Sequence, residues 1–188
     1  MSQATDNEIM FRVRDGRLDQ MGILFDRHHK LLYGFFYHNT GLKQQSEDLA
    51  QTVFMNMIRS RSTFTGSHKF VTWMYVIARN ALSDYYRSQQ RKGIYVDATG
   101  HLDEVADEAP ADARIQLKEE QLLVREALSR LEEADRELLI LARYQELKYQ
   151  EIARMVNSSE GAVKVRIHRA MKQLKQHYLA LSQQKQPL

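Results

Sequence analysis

Apolar side chains recur every three to four residues along most of this chain, the spacing that gathers them on one side of an α-helix. Over 17–38 the set is Leu18, Met21, Leu24, Phe25, Leu31, Leu32, Phe35 and Phe36, and Asn39-Thr40-Gly41 supplies a C-terminal stop. Over 46–61, Leu49, Val53, Phe54, Met57 and Ile58 form one stripe, with Ser46 placed as its N-cap. A short helix is expected over 7–14 and a long one over 69–91, the latter preceded by the loop Phe64-Thr65-Gly66-Ser67-His68. Further helices are expected over 115–131, 134–145, 149–156 and 160–181. No strand-like alternation runs beyond a few residues, and no internal repeat occurs. Two prolines and eight glycines leave few breakers. The fold class is all-α.

Length and charge divide this helical chain. Its 188 residues suit one fair-sized domain or two small ones. Residues 93–114 hold Gly93, Gly100 and Pro110, no helical period, and six acids against one arginine. Such a segment cannot bury a core, so it predicts an acidic linker between two helical domains, 1–92 and 115–188. Residues 1–92 carry 13 Lys/Arg against 8 Asp/Glu, and 138–188 carry nine against three. Two basic blocks flanking an acidic stretch suggest two sites that face a polyanion. The chain has no cysteine, which excludes disulfides, thiolate metal sites and a catalytic thiol. No apolar run approaches the roughly 18–20 residues of a membrane span, and MSQATDNEIM does not resemble a signal peptide. A cytoplasmic protein is expected.

Residues 148–175 carry the most specific local signal. A short helix (Tyr149 to Met155), the polar turn Val156-Asn157-Ser158-Ser159 and a long basic helix have the proportions of a DNA-binding helix-turn-helix. Ala153 is small where the two helices must cross. At 100° per residue, Val163, Ile167, Ala170, Met171, Leu174 and Tyr178 share one arc, the core side. Lys164, Val165, His168, Arg169 and Lys172 share the opposite arc, which holds three bases and no acid. A major groove requires such a face, with Arg and Lys for guanine acceptors and Val for a thymine methyl. Arg166 and Lys175 flank it and suit phosphates. The bland alternative is a solvated basic helix on an ordinary bundle.

Two further segments decide the class. Ser46-Glu47-Asp48-Leu49-Ala50-Gln51-Thr52-Val53-Phe54 and the run from Phe70 to Arg87, with Trp73, Arg79, Asn80 and Tyr85-Tyr86, resemble regions 2.2 and 2.3–2.4 of bacterial extracytoplasmic-function sigma factors. Glu151-Ile152-Ala153 and Gly161-Ala162-Val163-Lys164 resemble region 4.2 of the same family. Both blocks occur in order over residues 8–182, with no region 3 between them. The resemblance implies a detachable promoter-recognition subunit of RNA polymerase. Its first domain would melt and read the −10 element, and its second would read the −35 element. Asp48, Gln51 and Phe54 would then contact the clamp helices of the polymerase β′ subunit, and the second domain the β flap. The Phe64–Lys69 loop would hold a flipped base, Asn80 would bond a base edge, and Arg79, Arg87, Arg91 and Lys92 would track the strand. Lys164, Val165, Arg166, His168, Arg169 and Lys172 would read the −35 element. An anti-sigma factor is a further implied partner. Trp73, Tyr75, Tyr85 and Tyr86 also read simply as core aromatics.

Other classes leave little trace. The seven histidines form no H-x-x-x-H or H-E-x-x-H pattern, and no phosphate-binding glycine loop or G-x-S-x-G occurs. Neither an enzyme nor a metal or other cofactor is expected. A decoy that only titrates an anti-sigma factor would not need the basic 164–175 run. Another helix-turn-helix regulator would share 148–175 but not the 46–87 segment. Because 93–114 reads as a tether without a core, limited proteolysis should cut there first and leave two helical fragments. A single fragment resistant through 93–114 in a time course would contradict the two-domain division.

Overall fold

The computed structural model describes residues 4–92 and 111–184. These form eight α-helices: α1 (Asp6–Arg14), α2 (Met21–Thr40), α3 (Lys43–Arg59), α4 (Phe70–Arg91), α5 (Ala111–Ser129), α6 (Glu133–Arg143), α7 (Tyr149–Met155) and α8 (Glu160–Gln184). Among the described residues there is no strand. Most of the expected linker lies outside the described residues. Its last four positions, 111–114, belong to α5, which starts earlier than the apolar period indicates.

In the first half, α1 to α4 enclose an aromatic-rich core. Phe35, Phe36, Phe70 and Tyr75 are at most 1% exposed, and the Phe35 and Tyr75 rings meet edge-on at 5.5 Å. Thr5 and Glu8 form a capping box that starts α1. Gly41, at φ 72°, ends α2 in the left-handed conformation that favours glycine. The start of α2 differs from expectation, since Leu18–Gln20 form a separate 3₁₀ turn. Ser46 is not an N-cap. The helix α3 begins at Lys43, and the buried Ser46 hydroxyl donates to the Leu42 carbonyl at 2.6 Å beside Thr40 Oγ1 at 3.2 Å. Lys43-Gln44-Gln45 add a turn that carries no apolar signal, so the hydrophobic pattern cannot reveal it. The hydroxyl pair thus closes the α2–α3 corner.

In the second half, Leu138, Leu139, Ile140 and Leu141 of α6 pack with Ile152, Val163, Ile167 and Ala170. Ala153, 4% exposed, permits the close crossing of α7 and α8. Asn157 takes φ 50° in the turn, and the Ser159 hydroxyl accepts the Ala162 N–H to cap α8.

The two halves pack on each other, α5 and α6 against α2 and α7 against α4. The Tyr75 hydroxyl donates to the Gln145 side chain, and Arg125 donates to the Tyr37 hydroxyl. Tyr86 donates to the Asn39 carbonyl at 2.9 Å and accepts from Arg136 at 3.2 Å. The His38 ring stacks on Tyr144 at 4.0 Å. Burial, with the Arg125 charge nearby, pushes the His38 imidazole down to about 4 from 6.5. Between those pH values the unfolded chain binds the proton that the folded one refuses. Stability therefore falls as pH drops from 6.5 towards 4. Replacing His38 by Gln should remove about 2–3 kcal/mol of that pH dependence, read as urea unfolding free energies at pH 7 and pH 4.5. An unchanged pH slope in His38→Gln would contradict the assignment.

Candidate nucleic-acid and polymerase interface

The basic face of α8 is built as its period requires. Val163, Ile167 and Ala170 lie in the core, while Lys164, Val165, His168, Arg169 and Lys172 are exposed, Val165 at 67%. An isopropyl group this open on a soluble helix suits apolar contact with a partner. Two arginines of this helix have a partner that the sequence did not suggest. Asp135, in the first turn of α6, is 3% exposed, and its Oδ1 accepts from Arg166 Nε at 3.0 Å and Nη2 at 2.7 Å. Its Oδ2 accepts from Arg169 Nη2 at 3.4 Å. Arg166 therefore lies along the protein body, which changes the view of it as an outward phosphate contact. Arg169 keeps most of its side chain in solvent, at 60% exposure.

On α4, Asn80, Arg87, Arg91 and Lys92 are exposed, Arg87 paired with Asp84 one turn back. Arg79 is placed differently. It donates to Glu137 of α6, and its Nη1 donates to the Met155 carbonyl at the end of α7 at 2.7 Å. Burial pushes the Glu137 carboxyl up, although Arg79 draws it down. Lys69 reaches Glu151 of α7 at 2.9 Å. Burial also pushes the Glu151 carboxyl up, but hydrogen bonds from Lys69 and Lys148 prevail and hold it below its usual value. Two cations expected on a DNA strand are thus held by the second half of the chain.

The loop before α4 also departs from expectation at Phe64. That ring is 2% exposed, set against Phe11 at 5.2 Å and Trp73 at 5.3 Å. It supports the loop from below and offers no face to a base. Gly66, at φ 75°, lies so close to Phe11 that a Cβ would meet its ring at 2.2 Å. Above that floor Thr65, Ser67 and His68 are exposed, with the Thr65 and Ser67 hydroxyls 2.9 Å apart. Tyr75 and Tyr85 are core residues, and Trp73 is partly buried with its N–H on Thr63 Oγ1 at 3.3 Å.

On α3, Asp48 and Gln51 project into solvent one turn apart, with Met55 51% exposed on the next turn. Phe54 does not join them. It is 5% exposed and packs on Phe25 of α2 at 4.9 Å, so it supports the surface from within. Phe25, His29, Tyr33, Glu47, Ala50 and Gln51 line a groove between α2 and α3. Periodicity places Phe54 on the apolar stripe, which was the signal for its burial. Among the described residues no cluster of His, Asp or Glu could hold a metal ion, and no helix is long and apolar enough to cross a membrane.

A helix-turn-helix joined to a helical bundle, with an open basic face on its last helix, is the build of a DNA-binding protein. Residues 24–92 match Sigma-70 region 2, and residues 121–174 match Sigma-70, region 4. RNA polymerase sigma factor CarQ of Myxococcus xanthus is 32% identical over 89% of this chain and 94% of its own length. ECF RNA polymerase sigma factor SigX of Bacillus subtilis is 32% identical over 82% of this chain and 81% of its own. The chain belongs to the sigma-70 family, in its extracytoplasmic-function branch. It binds RNA polymerase core and directs initiation at promoters, region 2 serving the −10 element and region 4 the −35 element. Its fold is similar to that of CnrH, solved with the cytosolic domain of CnrY, with TM-score 0.69 and 21% identity over 96% of this chain and 99% of that one. It is also similar to the sigma factor RpoE of Bartonella quintana, solved with the anti-sigma factor NepR, with TM-score 0.68 and 19% identity over 83% and 94%.

Proposed function

We propose that three separate surfaces of this sigma factor do its work, and that the carboxylate-free outer face of α8 carries the reading most directly. Lys164, His168, Arg169 and Lys172 lie along one side of that helix with Val165 between them. An α-helix fits the major groove, where Arg169 reaches base acceptors and the Val165 methyls meet a thymine methyl. Lys175, further along, serves a phosphate. Arg166 serves as a strut to Asp135 rather than as a reader.

The second surface is Asp48 and Gln51 on α3, which meet the β′ clamp helices, with Phe54 fixing the helix from inside. The third is the strand-holding surface of region 2: Asn80, Arg87, Arg91 and Lys92, with the rim of the Thr65–His68 loop. Arg79 and Lys69 join it only after leaving Glu137, the Met155 carbonyl and Glu151. Phosphate oxygens are the anions that replace those partners. Domain boundaries near 92 and 115 follow from the same division, with region 4 also meeting the β flap.

The protein has no catalytic residue of its own and acts in the bacterial cytoplasm, where the chromosome lies. An anti-sigma factor is its natural antagonist, as NepR and the cytosolic domain of CnrY are bound to the solved relatives. A decoy role has less support, because it leaves the open basic face of α8 without a use.

Asp48→Arg should abolish binding to polymerase core while far-ultraviolet circular dichroism stays unchanged. Wild-type affinity for core in that variant would remove α3 from the docking surface. In holoenzyme binding across a set of −35 variants, Arg169→Ala should cost about 1–3 kcal/mol on the preferred sequence and flatten the ranking. Lys175→Ala should weaken all variants alike and reduce the salt slope by about 0.9. A ranking untouched by Arg169→Ala would leave that side chain as an electrostatic anchor only.

A further inference from the structure

Asp135 stands apart from every surface described so far. It belongs to α6 and not to the recognition helix, and at 3% exposure it offers almost no surface of its own to a partner. Its two oxygens face two arginines of α8, one turn apart. A buried carboxylate is costly unless it is paired and hydrogen-bonded, and here the guanidinium groups supply both charge and donors. The contacts are unequal. Arg166 gives two N–H groups to Oδ1, at 3.0 and 2.7 Å, whereas Arg169 gives one to Oδ2 at 3.4 Å.

That inequality assigns different tasks. A guanidinium has five N–H donors in a rigid fork. Arg166 spends two on Asp135 and is the less exposed of the pair. Arg169 spends one, loosely, and keeps four for another partner. The single contact biases the fork towards Asp135 and leaves its other N–H groups in solvent. An arginine on an exposed helix face otherwise samples many rotamers, and ordering it on binding costs affinity and geometric selectivity. A side chain already biased towards one orientation favours the base that fits it over the phosphates nearby.

We propose that Asp135 is a positioning residue for −35 discrimination: it orients Arg169 for bidentate base contact and holds Arg166 off the DNA backbone. The inference rests on the assignment of Arg169 as a base reader. With Asp135 the reading face presents one aimed arginine; without it, two freely moving ones attracted to any phosphate. Selectivity would fall while general affinity for DNA would hold or rise.

The test is binding of reconstituted holoenzyme to a −35 variant set at several salt concentrations. Asp135→Asn keeps the volume of the side chain but removes its charge and replaces one acceptor oxygen with a donor. Both arginines are at least 38% exposed and can hydrate, so the variant should fold. The expected result is a loss of roughly five-fold or more in discrimination between preferred and altered −35 elements, the low end of what a bidentate arginine supplies. The salt slope should steepen by about 0.9 for each arginine that moves to a phosphate. In an Arg169→Ala background, Asp135→Asn should change the ranking no further. Equal loss of affinity on every sequence at an unchanged salt slope would reduce Asp135 to a tie between α6 and α8 and overturn the proposal. So would a full effect that persists without Arg169. If Asp135→Asn does not fold, Asp135→Ser admits water to the two arginines and gives the same readings; failure of both to fold makes Asp135 a requirement of the fold and overturns the role. An unchanged ranking in Arg169→Ala alone removes the base reader, and the positioning role with it. Flattening by Arg169→Ala but not by Asp135→Asn removes only the positioning role.

Discussion

The guanidinium of Arg79 lies where α4, α6 and α7 meet, bonded to the Glu137 carboxylate and to the Met155 carbonyl. Much of the arrangement depends on what α4 must do at once. One side carries Met74, Tyr75, Ala78, Leu82 and Tyr85 into the core of region 2. Another carries Asn80 and Arg87 into solvent. The side between them meets region 4 through Arg79 and the Tyr75 hydroxyl. A helix has only so much circumference, so the surface that meets region 4 and the exposed surface with Asn80 and Arg87 adjoin, and Arg79 sits on the seam between them.

Polar contacts cross between the halves beside an apolar cluster that continues from Leu24 and Tyr75 to Leu138 and Ile152. Tyr75 with Gln145, Tyr86 with Arg136, Tyr37 with Arg125 and Lys69 with Glu151 all exchange hydrogen bonds that water or phosphate can also supply. Net gains from such bonds are small, about 1 kcal/mol each, because the separated groups are satisfied by solvent. Burial of aromatic and aliphatic side chains, in one cluster shared by both halves, supplies the larger part, which no solvent replaces. The two halves are therefore joined by shared apolar burial as well as by these polar contacts.

Periodicity carried most of the helices, and the α8 faces fall where the angular arithmetic puts them, since a long amphipathic helix has one way to bury its stripe. The parts that were not legible share a physical cause. Ser46 looks like a cap because Ser is a good one, but the polar Lys43-Gln44-Gln45 turn ahead of it continues the helix without an apolar marker. Phe64 looks like a base platform because aromatics serve both purposes; its burial depends on Phe11, far away in sequence. Asp135 reads as one more acid in a solvated first turn until Arg166 and Arg169, more than thirty residues on, are seen to close over it. Arg79 and Glu137 are likewise distant in the chain. Local pattern specifies which face is apolar, but not which charged groups meet across a packed seam.

The chain has a single tryptophan, and its position gives the molecule a built-in optical probe. Trp73 touches Phe64 and Phe70, and its indole N–H rests on Thr63 at the foot of the loop that precedes α4. Indole emission shifts to longer wavelength as water gains access and is quenched by a stacked nucleobase. With no second indole in the chain, the emission of the free protein, excited beyond the tyrosine band, reports the packing at the foot of that loop.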